Sequence, residues 1–138
     1  VHSVLSGIHY SSDADEKLQK QLDRRQMSGE LSAEDRQIVE GQVRELLAHP
    51  QFKPWLHADW KVRNENTILD PGGKLWKPDR VLTHADGRAV VIEFKTGSPE
   101  KGHPQQVREY MNRLIDMGHK PVEGWLVYLG RETTFEAV

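Results

Sequence analysis

The chain has 138 residues, of which 36% are hydrophobic and 29% are charged, with a formal net charge of -2 and no cysteine. This length suits one domain with a single core, and no apolar run approaches the length of a membrane span, so we expect no membrane partner. The lack of cysteine excludes disulfides and thiolate zinc sites, and a cytoplasmic setting is the default expectation. The small negative charge gives no general basic footprint for nucleic acid.

Helices are predicted throughout residues 1–50. The first eight residues carry apolar side chains at i, i+3, i+4 and i+7, which favours a helix with His2 beside its apolar stripe. A histidine in that place is more often a packing residue than a ligand. Good helix formers fill residues 13–27, and a third predicted helix begins at the N-cap Ser32 and ends near His49.

Three strands follow, and their pattern predicts antiparallel pairing. We expect the first from Trp60 to Leu69, the second from Lys74 to Leu82 and the third from Ala89 to Lys95, with turns at Pro71-Gly72-Gly73 and Asp86-Gly87. Glu65, in the first strand, points either toward the face that carries the chemistry or into solvent. The second and third strands form the hairpin on which the functional prediction depends.

The predicted hairpin gathers charged side chains at one point. Residues two apart in a strand share a face, so Glu93 and Lys95 project together, and pairing with the second strand brings Asp79 near Glu93. One or two carboxylates, waters and a substrate phosphate form a usual Mg²⁺ site, and Mn²⁺ is the alternative ion. Such an ion activates water and neutralises charge on phosphate, while Lys95 would position the water. The set therefore predicts metal-assisted phosphodiester hydrolysis.

The same residues also allow a purely structural interpretation. Glu93 and Lys95 would then form an ion pair on a solvated face, which contributes little to stability. This interpretation leaves the other matched residues of the chain unexplained.

The last third of the chain contains a loop, a helix and a strand. Lys101 and His103, in the loop over residues 96–103, are candidates for contacting a nucleic-acid backbone, as is Arg113 in the following helix. The helix is predicted from Pro104 to Met117 and the strand from Glu123 to Leu129. A strand that follows a crossover helix is expected to lie parallel to an earlier strand.

These elements predict a mixed α/β fold. We expect one domain over residues 1–138, with a helical segment over residues 1–50 and a core over residues 59–129. The core is predicted to be a mixed β-sheet of about four strands flanked by helices.

The pattern Pro78-Asp79, a gap and Glu93-Phe94-Lys95 resembles the PD-(D/E)XK nuclease superfamily. Gln106 and Tyr110 fit the Q-x-x-x-Y motif that follows in its RecB-type branch, and His2-Ser3-Val4-Leu5 has the form of the histidine motif in that branch's N-terminal helix. The resemblance covers nearly the whole chain. It is closest to the C-terminal nuclease domain of bacterial UvrD-like helicase–nucleases of the RecB and AddA type.

The resemblance implies a restriction-endonuclease-like core and exonuclease-type DNA cleavage in helicase-coupled double-strand-break repair and recombination. It implies metal binding by the side chains of His2, Asp79 and Glu93 and by the backbone carbonyl of Phe94. Lys95 would handle the attacking water, and Gln106 and Tyr110 would support Lys95 or hold the DNA backbone. The partners implied are single- or double-stranded DNA ends and a UvrD-like motor in the same polypeptide or complex. We therefore expect a fragment of a longer protein in the bacterial cytoplasm.

Two other functions compete with this one. A non-catalytic module that guides DNA or docks partners in a helicase complex would suit the modest net charge. A sequence-specific endonuclease of the restriction type would share Asp79, Glu93 and Lys95, but the helix with Gln106 and Tyr110 argues against it.

Overall fold

The computed structural model of the chain describes residues 2–5, 7–64, 68–69, 72–96, 99–130 and 132–138, and the side chains of residues 2, 3, 68 and 69 lie outside the description. The chain divides into two compact units, Val1–Ala58 and Asp59–Val138. The helices of the first 50 residues fall in the first unit, and every described strand falls in the second. That one domain spans residues 1–138, and that it is part of a longer protein, stay predictions.

The first unit is helical, as its sequence predicts. It contains α1 (His2–Leu5), α2 (Ala14–Met27), α3 (Ala33–Ala48) and a 3-10 helix (Lys53–Leu56). The Ser32 hydroxyl caps α3 by accepting a hydrogen bond from the Asp35 backbone N–H at 3.1 Å. Just beyond α2, Gly29 takes a φ of 83°, which lets the chain leave the helix without strain.

The second unit combines strands with one long helix. Its elements are β1 (Trp60–Asn64), β2 (Ile68–Leu69), β3 (Leu75–Trp76), β4 (Arg80–His84), β5 (Ala89–Thr96), α4 (Gly102–Asp116), β6 (Val122–Leu129) and β7 (Thr134–Ala137). In the described part of the chain, the main sheet has the order β1-β4-β5-β6-β7, and β2 and β3 form a separate two-stranded ladder.

The main sheet is mixed, as predicted. β4 and β5 form the antiparallel hairpin with Val81 opposite Val91, while β6 runs parallel to β5 after the crossover through α4. The hairpin turn contains Gly87 with a φ of 102°, in agreement with the turn predicted at Asp86-Gly87. β7 pairs antiparallel with β6, so the sheet has one strand more than the sequence suggested among the described residues. The mixed α/β fold class is confirmed.

The predicted second strand, Lys74–Leu82, is interrupted. β3 ends at Trp76 and β4 begins at Arg80, and between them lies Pro78, which has no N–H to donate to a sheet. β3 pairs with β2 instead of joining the main sheet. The predicted first strand reaches only Asn64 in the main sheet, and Glu65 lies outside the described residues.

α4 covers one face of the main sheet and forms the core of the second unit with it. The buried members of this cluster are Val81, Ala89, Val91, Val107, Tyr110, Leu114, Leu126 and Tyr128. Met111 of α4 is only partly buried, whereas its neighbour Tyr110 is buried. A Cβ at Gly124 of β6 would lie 2.6 Å from Val107 Cγ1 and against Met111 Sδ, so glycine lets α4 approach closely.

Among the described residues, no helix has both the length and the apolar character needed to cross a membrane.

Candidate active site

The side chains of Asp79 and Glu93 meet at the end of the β4–β5 hairpin. The backbone N–H of Asp79 donates a hydrogen bond to Glu93 Oε1 at 2.6 Å, and the backbone N–H of Phe94 donates one to Asp79 Oδ2 at 2.9 Å. These bonds continue the pairing of Arg80 with Ile92, the last pair of the ladder. The backbone of one strand therefore fixes the carboxylate of the other: Asp79 N–H holds Glu93, and Phe94 N–H holds Asp79.

Glu93 is buried to an extent that is unusual for a carboxylate, with 3% of its surface exposed. Burial raises the pKa of the Glu93 carboxyl from its usual 4.5 to about 8, and the negative charge of Asp79 adds to the rise. The Asp79 backbone N–H and Lys95 act in the opposite direction but do not offset the burial. Without a bound cation, the Glu93 carboxyl is therefore mostly protonated at neutral pH.

The solvated face of the structural interpretation is wrong for Glu93, which is buried, although Lys95 stays within ion-pair distance of it. Lys95 Nζ lies 4.0 Å from Glu93 Oε2, at the limit of an ion pair, and the Glu93 side chain is 4% exposed. Because a buried charge costs free energy unless it is paired closely, this contact alone does not account for the carboxylate.

Lys95 is held by α4. Its Nζ donates a hydrogen bond to Gln106 Oε1 at 2.9 Å, and Gln106 Nε2 in turn donates one to the Tyr110 hydroxyl at 3.3 Å. Gln106 and Tyr110 are one helical turn apart, so both side chains reach the same face of β5. Burial raises the pKa of Tyr110, and the nearby Glu93 raises it further, so the phenol stays protonated at neutral pH. The Gln106 amide thus fixes the ammonium group of Lys95 beside the two carboxylates.

The donor set fits a hard divalent cation. Asp79 and Glu93 offer carboxylate oxygens side by side, and a bound cation would favour the charged form of Glu93, which burial first and the charge of Asp79 second disfavour. A Mg²⁺ site commonly takes one or two carboxylates from the protein and completes its shell with water and phosphate oxygens. Within the described ranges, no three histidine, aspartate or glutamate side chains gather as a metal-binding group.

Three more of the predicted site residues are His2, Lys101 and His103. The His2 side chain lies outside the described residues. Lys101 is exposed and immediately precedes α4. His103 Nδ1 lies 3.2 Å from the Tyr128 hydroxyl, and its Nε2 lies 3.6 Å from Glu100 Oε2. Tyr128 is the register partner of Lys95 on β6, so His103 is connected to the site through one residue.

Arg113 lies near an aromatic residue that the sequence-based prediction did not include. Its Cζ is 6.0 Å from the centre of the Trp76 ring, and Trp76 makes an edge-to-face contact with Tyr110 at 5.8 Å between ring centres. The position of Trp76 two residues before Pro78-Asp79 was the available signal, but a tryptophan at that distance is not part of the motif.

Comparisons with known proteins leave the family of the chain open. No family model and no curated protein sequence matches it. A solved structure described as "Crystal structure of SSO0001" is similar over 85% of this chain, at 19% identity and a TM-score of 0.40. The alignment covers 61% of that structure's own chain.

Proposed function

We propose that the chain hydrolyses DNA phosphodiester bonds with the help of Mg²⁺ or Mn²⁺, as an exonuclease-type nuclease domain of the PD-(D/E)XK superfamily with a restriction-endonuclease-like core. The observation that carries the proposal is the pairing of Asp79 with the buried Glu93, whose pKa is raised to about 8 by burial first and by the negative charge of Asp79 second. Perturbed carboxylates beside a fixed cation are typical of sites that do chemistry. The order of the motif residues in the sequence supports the same conclusion.

Each residue of the set has a defined task in this proposal. Asp79 and Glu93 bind the cation through their side chains, and Phe94 binds it through its backbone carbonyl. When bound, the ion supplies an acidified water and neutralises charge on the phosphate. Lys95 Nζ, held at 2.9 Å by Gln106, orients the attacking water and stabilises the negative charge that develops on the phosphate oxygens.

The proposed biological setting comes from the resemblance of the motif residues to the RecB-type branch. The substrate is a single- or double-stranded DNA end, delivered by a UvrD-like motor in the same polypeptide or complex. The process is double-strand-break repair or recombination in the bacterial cytoplasm. His2 is a further candidate metal ligand on the same ground.

The test is cleavage of end-labelled single- and double-stranded DNA with Mg²⁺, with Mn²⁺ and with EDTA. We expect metal-dependent cleavage that Asp79→Asn and Glu93→Gln each reduce by at least about a hundredfold, since each removes a charge that holds the ion. Glu123→Gln, which changes an exposed glutamate on β6, is the matched control and should cleave normally.

Three outcomes would contradict the proposal. Cleavage that persists in both variants would place the reaction elsewhere. Tight DNA binding without turnover, unaffected by Glu93→Gln, would favour the non-catalytic module that guides DNA. Discrete fragments instead of progressive shortening would indicate the restriction-type alternative.

A further inference from the structure

Trp76 at the end of β3 lies near two cationic side chains. Lys74 Nζ is 4.1 Å from the centre of the Trp76 ring, and Arg113 Cζ is 6.0 Å from it. The partly buried Arg113 also pairs with the exposed Asp116 at 3.1 Å. Trp76 is partly buried against the core cluster of the second unit, while Lys74 is exposed. The result is an aromatic surface with positive charge beside it.

This group of Trp76, Lys74 and Arg113, here called the Trp76 patch, is continuous with the candidate active site. Trp76 meets Tyr110 edge to face at 5.8 Å and an interplanar angle of 82°. Tyr110 accepts the hydrogen bond of Gln106, and Gln106 accepts that of Lys95. Three contacts thus lead from the ring to the lysine beside Glu93.

The two ends of this line of contacts differ in character. At one end stand the acidic residues Asp79 and Glu93, and at the other end stand the cations Lys74 and Arg113. Aromatic side chains combined with cations along a backbone path are how proteins hold unpaired nucleic-acid strands, because every base has a face that stacks. Paired bases in a duplex are already stacked on their neighbours.

We propose that the Trp76 patch holds a single strand of nucleic acid next to Asp79 and Glu93, with one unpaired base stacked on the Trp76 indole and the flanking phosphates on Lys74 and Arg113. The inference rests on the proposed function, because it assigns the substrate class of that same site. It makes an unpaired strand, not an intact duplex, the species that reaches the carboxylates.

The contact between Lys74 and Trp76 does not prevent a base from stacking on the indole. An exposed lysine over an aromatic ring gains less than a stacked base does, so a base displaces it from the ring face. The flexible four-carbon stem of Lys74 then lets its ammonium group follow a phosphate. Arg113 is held in place by Asp116 and keeps its guanidinium beside the ring.

The experiment measures the affinity of the chain for fluorescently labelled oligo(dT) and for a duplex of equal length. Lys95→Ala is the background, so that the strand stays intact, and titrations are run with Mg²⁺ and with EDTA. Trp76→Leu keeps an apolar side chain against the core but removes the stacking face, and Trp76→Phe restores an aromatic ring. Lys74→Glu changes an exposed residue, and Arg108→Glu, an exposed cation on α4, is its matched control.

We expect Trp76→Leu to weaken oligo(dT) binding about tenfold, the loss typical of one stacked base, and Trp76→Phe to recover most of it. Duplex binding should change much less. Lys74→Glu should weaken oligo(dT) binding and reduce its salt dependence, whereas Arg108→Glu should not. Unchanged affinity in Trp76→Leu and Lys74→Glu, equal losses for duplex and single strand, or no oligo(dT) binding in either buffer would overturn the inference.

The outcome separates this inference from the proposed function. Cleavage by the native chain with unchanged oligo(dT) affinity in the patch variants would reject the Trp76 patch alone. Strand binding that depends on Trp76, together with no metal-dependent cleavage, would reject the hydrolytic function and leave the strand-binding surface in place.

Discussion

Asp79 and Glu93 face each other across the β4–β5 hairpin, with the Asp79 backbone N–H bonded to Glu93 Oε1 at 2.6 Å. The arrangement places two like charges in a setting where only 3% of Glu93 is exposed. A protein tolerates such a pair when a proton or a cation neutralises it. Metal binding, pH dependence and catalysis should therefore all depend on these two residues.

Addition of Mg²⁺ should raise the melting temperature of the native chain. A ligand that binds only the folded state at a hundred times its Kd stabilises it by about 2.7 kcal/mol, which is several degrees for a protein of this size. Glu93→Gln should melt higher than the native chain in EDTA at neutral pH, since an amide does not have to take up a proton when the chain folds, and should gain little from Mg²⁺. Calorimetry of both chains measures this. An identical Mg²⁺ response in the two would contradict a site at Glu93.

Without metal, stability should fall as the pH rises from about 4.5 to about 8. The folded state keeps a proton on Glu93 in this range and the unfolded state does not, so the folded state binds more protons. The contribution is complete below the unfolded pKa of 4.5 and is lost as the pH passes the folded pKa of about 8. Urea denaturation in EDTA across this range, with Glu93→Gln as control, measures it. The same slope in the variant would assign the effect to other groups.

Removal of the Gln106 amide should reduce turnover more than substrate binding. Gln106→Ala frees Lys95 Nζ from its 2.9 Å hydrogen bond, and loss of a positioned donor typically costs about a hundredfold in kcat. Gln105→Ala, at the exposed neighbouring position on α4, should behave as the native chain. Single-turnover DNA cleavage gives both constants. An unchanged kcat in Gln106→Ala would show that Lys95 needs no support from α4.

Gly124→Ala should destabilise the second unit by about 1–3 kcal/mol, because the added methyl overlaps Val107 and Met111. Met111→Ala in the same chain makes room for the methyl and should recover part of the loss, while Gly102→Ala, where no atom lies within 4 Å of the new Cβ, should be close to neutral. Urea denaturation of the four chains measures these free energies. Equal stability of Gly124→Ala and the native chain would mean that α4 shifts without cost.

The sequence was sufficient for the features that depend on local pattern. Helix-forming residues predict α2, the N-cap Ser32 predicts the start of α3, Asp86-Gly87 indicates the hairpin turn, and the hairpin register brings Asp79 to Glu93. Strand alternation also places Lys95 on the face of Glu93.

Other features required the structure because they depend on contacts that are distant in sequence. The pairing of β3 with β2 and the position of β7 at the sheet edge depend on the strands that they pair with. β2 and β3 have only two residues each and β7 has four, which is too short for a clear sequence pattern. Burial of Glu93 follows from the packing of α4 on the sheet. The neighbourhood of Trp76 and Tyr110 likewise joins two elements that no sequence motif connects.

The most direct measurement is the initial rate at which the native chain and Lys95→Ala degrade end-labelled single-stranded DNA at saturating Mg²⁺. Metal-dependent degradation by the native chain, reduced at least about a hundredfold in Lys95→Ala while the variant retains its fold, is the predicted result. Equal rates for the two chains, or degradation that continues in EDTA, would contradict hydrolysis by the site formed by Asp79, Glu93 and Lys95.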